Sequence, residues 1–435
     1  MQVHNKQSQT GAAMLLFIMF FVMASSALTF LLSRSITSDM LAVSSLSSAK
    51  QTYLSSESSL EDATFRLMDG ETLTNSVITE VAGIATTTVS YIPASDEYKI
   101  QTNAKVGRTN KIDTVILGLG AGTAFNYGLQ TGNGGFELTN SAMITGNAFS
   151  NGPINGQGSS LIKGDAVSTG PSGSITNIHA TGSAWANTLN GSHIEGDAYF
   201  NVGSGNTVDG TSSPYTTIDP ASLPIDDTEV TAWENKIIED GSIIPSSMCS
   251  GGDYLIDSDT SLGNVKIECN LRIRKTGAST VVTLTGSIWV TGNISLEQGP
   301  KLKVDPSLTG RSVQLIADNP ADRLSSSKIS IANSTEFEGS GHPSSFIMLL
   351  SQNESSELGG AVTAINIGQS SSGDLLLYAG HGKIEIGNQI FLKSVTGHRI
   401  EVGNNSDITY DTGLMNVVFT GGPSGGFVIR DWYQE

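Results

Sequence analysis

The side chains that most often carry catalysis are scattered in this sequence and match no catalytic spacing. Its six histidines are His4, His179, His193, His342, His381 and His398. None lies beside a GxSxG serine elbow or in an HExxH zinc motif, and there is no Walker loop or Rossmann glycine fingerprint. We therefore expect neither a cofactor nor a metal site.

Carboxylates offer the remaining route to catalysis. The two groups that could converge are Asp257, Asp259 and Glu268, and Glu385, Glu401 and Asp407, the latter with His381 and Lys383 nearby in sequence. Two or three convergent acids are what polysaccharide lyases and glycosidases require. On a chain with a formal charge of -18, however, scattered acids are usually solvated surface groups. We expect no enzyme, and keep a secreted polysaccharide lyase or hydrolase as the alternative.

Cys249 and Cys269 are the only two cysteines of the chain. Outside the cytoplasm they could form a disulfide that closes a loop of about 20 residues and stabilises the fold by roughly 3 kcal/mol. Two separate buried thiols are the alternative, and the sequence leaves both open. The pair does not have the CxxC or Cys/His spacing of a zinc site.

Length and composition indicate the elements that must position these groups. A chain of 435 residues is too long for one ordinary core, so several folding units or a repeat array are expected. The 49 glycines, 12 prolines and 38% hydrophobic residues favour many short strands joined by tight turns. The negative charge disfavours binding to nucleic acid.

The N-terminal region contains one long apolar segment. Residues 12–32 form a helix of ~31 Å, long enough to cross a bilayer core. A cleaved secretory signal is the alternative, with a cleavage site after Ala27 and a mature start at Leu28. The apolar run continues to Leu32, beyond the usual end of a signal, which favours a retained anchor.

The same helix is predicted to continue far past the apolar segment. No proline or glycine occurs between Arg34 and Gly70. One stripe follows helical spacing: Leu46, Ala49, Tyr53, Leu60, Ala63 and Leu67. We therefore expect one unbroken helix over residues 12–68, with Gly70 near its C-terminal cap.

The sequences QTGAAMLLFIMFF and YLSSESSLEDATFRL resemble the N-terminal region of type IV pilins and pseudopilins, most closely PilX-type minor pilins and the K-type pseudopilin. The resemblance covers roughly the first 70 residues. It implies that residues 1–11 are a leader, which prepilin peptidase removes between Gly11 and Ala12. Major pilins carry Glu at the fifth mature position, where this chain has Leu16. The resemblance therefore implies a tip or priming subunit, since Leu16 cannot pair with a neighbour's N-terminal amine in an apolar filament core.

A small antiparallel meander and a long repeat region are predicted to follow the helix. Residues 71–119 contain three alternating segments separated by polar turns, as in a meander. The segments GNAFS, GDAVS, GSAWA and GDAYF then share one pattern at spacings of 18, 18 and 14 residues, starting at Gly146. Such a period predicts a parallel β-helix.

The predicted β-helix has two parts and an insert. We expect the first part over residues 120–210, an insert with a short helix over 211–245, and the second part over 246–435. The meander and the terminal FVIRDWYQE are expected to cap the ends. The fold class is thus mainly β, with a long N-terminal membrane-anchoring helix, an antiparallel meander and a parallel β-helix. This layout also resembles large pilin-like surface proteins from bacteria with small genomes.

Four repeat segments place Phe149, Val167, Trp185 and Tyr199 at the same position, so these side chains should stack as a column. If strict alternation holds, the preceding alanines point inward and the column is exposed, where it could contact sugar rings or a partner pilin. If the turn resets the alternation, the column is an internal ladder. We favour the internal ladder because large apolar side chains are mostly buried.

These observations predict an accessory, pilin-like subunit with a structural and adhesive role, placed at or near the tip of a type IV pilus-like machine. Its expected partners are other pilin-like subunits, prepilin peptidase, the membrane, and a surface carbohydrate or host-cell receptor. Before assembly the chain would cross the cytoplasmic membrane once, with its bulk outside; afterwards it would lie on the cell surface or pilus. A bactofilin-like scaffold, which polymerises through β-helix ends, is a further alternative that the expected caps disfavour.

Overall fold

The computed structural model divides into two compact units. Unit 1 comprises Met1–Gly118 and Val428–Glu435, and unit 2 comprises Leu119–Phe427. The structure describes residues 9–68, 77–79, 85–92, 97–119, 125–277, 279–411, 414, 417–419 and 427–434. Most of the expected leader, residues 1–11, and the expected cap at Gly70 lie outside these ranges.

Unit 1 is built on one helix, α1 (Gln9–Met68), of 60 residues. Its N-terminal half is exposed and is long and apolar enough to cross a membrane. In its C-terminal half, Leu60, Ala63 and Leu67 are buried, as their spacing predicts. The prediction fails two to four turns earlier, because Leu46 and Tyr53 are exposed and smaller polar side chains take the buried face.

An antiparallel sheet covers that face of α1. Its strands are β1 (Val77–Thr79), β2 (Ala85–Ile92), β3 (Glu97–Val106) and β4 (Thr109–Leu119). The interface is partly polar, with Ser59 Oγ 2.7 Å from Thr87 Oγ1, which is itself 2.7 Å from Thr102 Oγ1. Buried hydroxyls that bond one another satisfy the groups that an apolar interface would leave unpaired.

The strand Phe427–Gln434 is the last of the chain, and it lies beside β4 in the sheet of unit 1. The prediction that FVIRDWYQE caps the β-helix is therefore wrong. Without this last strand, β4 would lie at the edge of the meander with unpaired backbone groups. The strand Phe427–Gln434 pairs with those groups. The chain thus leaves unit 1 after β4, forms all of unit 2, and returns to the neighbouring position.

Unit 2 is a parallel β-helix in which each coil contributes short strands to three faces, here called A, B and C. The strands of the first stretch, residues 125–213, are β5 (Leu129–Leu138), β6 (Met143–Thr145), β7 (Ala148–Ser150), β8 (Ile154–Gly156), β9 (Leu161–Lys163), β10 (Ala166–Ser168), β11 (Ser174–Thr176), β12 (His179–Ala180), β13 (Ala184–Trp185), β14 (Thr188–Asn190), β15 (His193–Ile194), β16 (Ala198–Tyr199), β17 (Val202–Ser204), β18 (Thr207–Val208) and β19 (Ser212–Ser213). Face A contains β7, β10, β13, β16 and β19, face B contains β8, β11, β14 and β17, and face C contains β6, β9, β12, β15 and β18. β5 spans faces A and B, which merge into one 23-stranded sheet, and face C is a 12-stranded sheet with one strand per coil.

The second stretch, residues 242–419, contains the remaining strands of the β-helix. They are β20 (Ser242–Ile244), β21 (Asp253–Ile256), β22 (Thr260–Leu262), β23 (Val265–Ile267), β24 (Asn270–Arg274), β25 (Val281–Leu284), β26 (Ile288–Val290), β27 (Ile294–Glu297), β28 (Lys301–Val304), β29 (Arg311–Ala317), β30 (Ile329–Ile331), β31 (Glu336–Glu338), β32 (Ile347–Ser351), β33 (Thr363–Ile367), β34 (Ser372–Gly373), β35 (Leu375–Ile386), β36 (Phe391–Leu392), β37 (Ser394–Val402), β38 (Asp407–Thr409) and β39 (Val418–Phe419).

The two stretches stack into one column, but not in chain order. β5 pairs in parallel with β7 of the next coil and with β37 of the second stretch. The chain therefore enters the stack at its middle and runs to one end at β19. It resumes at the opposite end, where β20, β21 and β22 begin faces A, B and C, and it returns to the middle at β37 and β38. The last strand, β39, then pairs with β29.

Residues 214–241, here called the strap, connect the two ends of the stack along face A. Tyr215 lies by Asn201 near one end, and Ile218 O accepts from Gly170 N further along. The backbone of Ala221 is then hydrogen-bonded to the side chain of Asn151. After it, helix α2 (Asp227–Asp240) lies over β26 and β23. An extended segment and a helix of this length reach roughly 60 Å, and twelve coils at about 4.8 Å span a similar distance.

Local sequence explains both the strap helix and the turns of the coils. Asp226 caps α2 by accepting from Glu229 N at 2.8 Å, and Val230, Trp233 and Ile237 are buried along one helix face. At the coil turns, side-chain oxygens accept from the next coil: Asn147 Oδ1 from Asp165 N at 2.9 Å, and Asp165 Oδ1 from Ser183 N at 2.8 Å. Helix, antiparallel sheet and parallel β-helix together confirm the predicted fold class.

Candidate functional site

The outer surface of the β-helix carries columns of side chains. Strands of successive coils pair in register about 4.8 Å apart, so residues at equivalent positions stack directly on one another. The surroundings of each predicted site residue on unit 2 therefore depend on the column that it occupies and on the segment that covers that column.

The aromatic column, Phe149, Val167, Trp185 and Tyr199, lies on face A. The register pairs each of these residues with the next, and the rings of Trp185 and Tyr199 stack 5.2 Å apart. The preceding residues Ala148, Ala166, Ala184 and Ala198 are buried in the core. The favoured internal ladder is therefore wrong, since strict alternation holds and the column points outward.

Two contacts limit what the aromatic column can bind. The rings of Trp185 and Tyr199 are nearly parallel, with 4° between their planes, so each occupies a face of the other. Phe149 is buried, and its ring stacks on that of Tyr127 at 5.0 Å. A sugar that stacks on an aromatic residue needs a free ring face. The column is thus better suited to supporting the coils than to holding a sugar.

We expect Trp185→Ala to lower the free energy of unfolding by about 1–2 kcal/mol, from a lost ring stack and lost apolar burial. Chemical denaturation of the full-length protein measures this change. Tyr199→Phe is the matched control, because it keeps the stacked ring and should change stability by less than about 0.5 kcal/mol. An equal loss in both variants would contradict a stabilising role for the stack.

The second carboxylate group is partly assembled, on face B. Glu385 and Glu401 are register partners, and Glu137 of β5 continues the same column. Lys383 Nζ forms ion pairs with Glu385 and, at 2.9 Å, with Glu401. Arg399 Nη2 lies 3.0 Å from Glu401. Asp407 does not belong to this group, because its strand lies on face C.

Electrostatics in this column favour ion pairing over proton transfer. Burial raises the pKa of Glu385, but the hydrogen bond and charge of Lys383 outweigh it and leave the pKa below its ordinary value. Burial likewise lowers the pKa of Lys383, and its bonds to Glu385 and Glu401 bring the net shift upward. Both groups are therefore charged at neutral pH, whereas a general acid has to hold a proton.

The first carboxylate group does not converge. Asp257 lies 3.6 Å from Arg274, and Asp259 accepts from the backbone N of Val281 at 2.9 Å. Glu268 lies at another corner of the coils and pairs with Lys266 at 3.3 Å. Each of these acids thus has its own structural partner.

Sequence reasoning missed the histidine column on face C and, in the face B column, Glu137 and Arg399. On face C the rings of His179 and His193 stack 4.6 Å apart, and their Nε2 atoms contact Glu195 at 2.9 Å and Asp209 at 3.0 Å. The signal was present, because both His and both acids recur after 14 residues, the length of one coil. Glu137 and Arg399 could have been added to the face B column from the aligned segments GFEL, KIEI and RIEV.

The disulfide candidates and the N-terminal candidates lie in separate places. Cys249 and Cys269 are disulfide-bonded, with 6.6 Å between their Cα atoms, and the bond joins the terminal coil that begins at β20 to its neighbour. Gly11 and Ala12 lie within α1, where the structure describes the helix but not their surroundings. Leu16 is exposed on the apolar half of α1.

No protein-family model matches the chain, and no curated protein sequence matches it. Among solved structures, it is similar to the competence-associated pilin ComZ from Thermus thermophilus at 10% sequence identity. That likeness covers 89% of this chain and 97% of the other, with a TM-score of 0.27. At this TM-score it carries no argument about the fold or the function of the chain.

Proposed function

We propose that the chain is an accessory, pilin-like subunit of a type IV pilus or a related machine. The observation that carries the proposal is the division of α1, whose N-terminal half is apolar and exposed while its C-terminal half packs on an antiparallel sheet. A helix with these two halves can anchor in a membrane and later pack among other helices. Its role is structural and adhesive rather than enzymatic, and the β-helix is displayed outside the cell.

Within that role we assign the subunit to the filament tip. Leu16 offers no carboxylate to the N-terminal amine of a neighbouring subunit, so it does not make the pairing expected of a bulk subunit. The two polar columns, on faces B and C of unit 2, are the candidate contact surfaces for a carbohydrate or a protein receptor. Electron microscopy of pili with the protein tagged tests this placement, since uniform decoration along the shaft would contradict it.

The mature N-terminus tests the proposal most directly. We expect intact-mass analysis of the cellular protein to show a chain that starts at Ala12, because prepilin peptidase would cut after Gly11. Gly11→Val should leave the leader attached, while the leader variant Ser8→Ala should be processed normally. A mature N-terminus at Leu28 would identify a secretory signal and would contradict the pilin proposal.

End-to-end assembly is a second candidate function, favoured by one observation. The strand expected to cap the β-helix pairs in unit 1 instead, and within the described residues the end strands β18 and β22 each pair on one side only. Open strand edges can template pairing with another chain. Concentration-dependent sedimentation separates the two functions, because a scaffold forms filaments by itself and an accessory subunit does not.

A further inference from the structure

A buried pair of carboxyl groups lies where α2 meets face A. Glu234 of α2 is 6% exposed, and Asp318, which follows β29, is fully buried. Arg323 holds Asp318 through two bonds, from Nε at 2.8 Å and from Nη2 at 2.7 Å. Among the described residues Glu234 Oε1 has no hydrogen-bond partner. Asp318 N donates to Val290 O of β26, the strand on which α2 lies, so an ionised Glu234 would be a second buried negative charge near Asp318.

The other charged groups near this pair do not remove that cost. Arg323 Nη1 also contacts Glu354 at 3.3 Å, so its charge is shared by two carboxylates. Lys266 faces Glu234 from β23, but its Nζ pairs with Glu268 at 3.3 Å and lies over the ring of Trp289. Two carboxyl groups in one poorly solvated place favour a state in which one of them keeps a proton.

We propose that the strap is a proton-dependent clamp, held on face A while Glu234 is protonated and released when it ionises. Burial, followed by the charge of Asp318, raises the pKa of Glu234 to about 9. Release is local, because residues 214–241 attach to the coils from outside and the coils keep their own backbone pairing. The clamp matters for the whole unit because it spans both stretches of the stack.

Two further groups at the start of α2 act in the same direction. Burial raises the pKa of Glu229 to about 7, with Asp226 as its charged neighbour. His381 is hydrogen-bonded to Glu357 and, at 3.0 Å, to Asp227. Burial lowers the pKa of His381, but these two carboxylates outweigh it and the net shift is upward. His398 also faces this cluster, and its own pKa is lowered by burial.

The pKa values of Glu234, Glu229 and His381 are all raised when the strap is docked, so each group then binds its proton more tightly. A raised pKa in the docked state means that the added stability is fully present below the ordinary pKa. For Glu234 it is lost progressively between the ordinary value of 4.5 and about 9. The strap should therefore be most firmly attached in acid and should loosen through the neutral and alkaline range.

Hydrogen exchange of the full-length protein in detergent tests the clamp. Between about pH 6 and about pH 9, after correction for intrinsic exchange, we expect protection of the α2 amides to fall at least tenfold. Amides of the core strands on face B should change much less. A fall of equal size in every coil, or none in α2, would overturn the proposal.

Single substitutions assign the effect to the buried carboxyl. Glu234→Gln keeps the shape and cannot ionise, so we expect it to remove most of the pH dependence in α2. Glu239→Gln is the matched control, because Glu239 lies exposed on the same helix and its removal should leave the wild-type profile. If Glu234→Gln does not fold, Glu229→Gln takes its place and should reduce the slope near neutral pH. A wild-type slope in the folded variant would refute the mechanism.

Discussion

Trp233→Ala should lower the free energy of unfolding of unit 2 by about 3–5 kcal/mol, since it empties the largest buried site of the strap. Trp233 is fully buried, and its ring lies 5.4 Å from that of Phe419. It belongs to a cluster that also contains Trp289, Ile316 and Leu350 of the second stretch. Its removal weakens the strap and leaves apolar side chains of face A without a cover.

Chemical denaturation followed by circular dichroism measures this loss. Trp233→Phe is the matched control, because it retains an aromatic ring and removes an indole N–H that has no partner among the described residues. We expect the phenylalanine variant to lose less than half as much stability as the alanine variant. A strap that contributed nothing to stability would give a near-zero change in both.

Excision of unit 2 should yield a β-helix that folds by itself. Residues 125–419 enter the stack at its middle, where Tyr410 Oη donates to Phe125 O at 2.6 Å, and end at β39, which pairs with β29 of the same unit. A compact unit with its own hydrophobic core can fold alone. We expect the excised protein to unfold cooperatively, with a midpoint within a few degrees of that of unit 2 in the full chain.

Residues 125–241 provide the control for that experiment. They contain the first stretch and the strap but not β37, which pairs with β5 at the middle of the stack. We expect this fragment to be aggregated or partly unfolded, because its sheet edge at β5 is exposed and the strands on which α2 packs are missing. Equally cooperative folding of this fragment would show that the first stretch is independent of the second.

Sequence patterns predicted the elements of this protein better than their order. The repeated Gly, polar, Ala, apolar segments indicate coils because each coil must place a small inward residue and a turn at the same position. They do not indicate which coil is the neighbour of β5, since the coils share one inward pattern of Ala, Ile, Leu and Val. That choice depends on contacts such as Val395 with Leu129, which are far apart in the chain.

The aromatic column shows a similar limit for the candidate site. The usual burial of large apolar side chains favoured an inward column. That tendency does not take into account that the strap covers the outer side of face A. In the second stretch that cover is α2, which allows Trp289 and Ile316 to be apolar and outward-facing at once. In the first stretch the strap lies alongside, at Asn151 and Asn201. The outward apolar residues on face A thus lie where the strap covers the coils, and the repeat pattern of the coils does not predict the position of the strap.

The return of the chain to the middle of the stack also determines how the β-helix responds to tension. A pull applied through the two ends of the unit acts on Phe125, beside β5, and on β39, which pairs with β29, and it passes through the coils from β5 to β29. The coils toward β19 and β20 lie outside that load path. We therefore expect the terminal coils, including the one that the disulfide Cys249–Cys269 joins to its neighbour, to remain folded while force acts on the coils between β5 and β29.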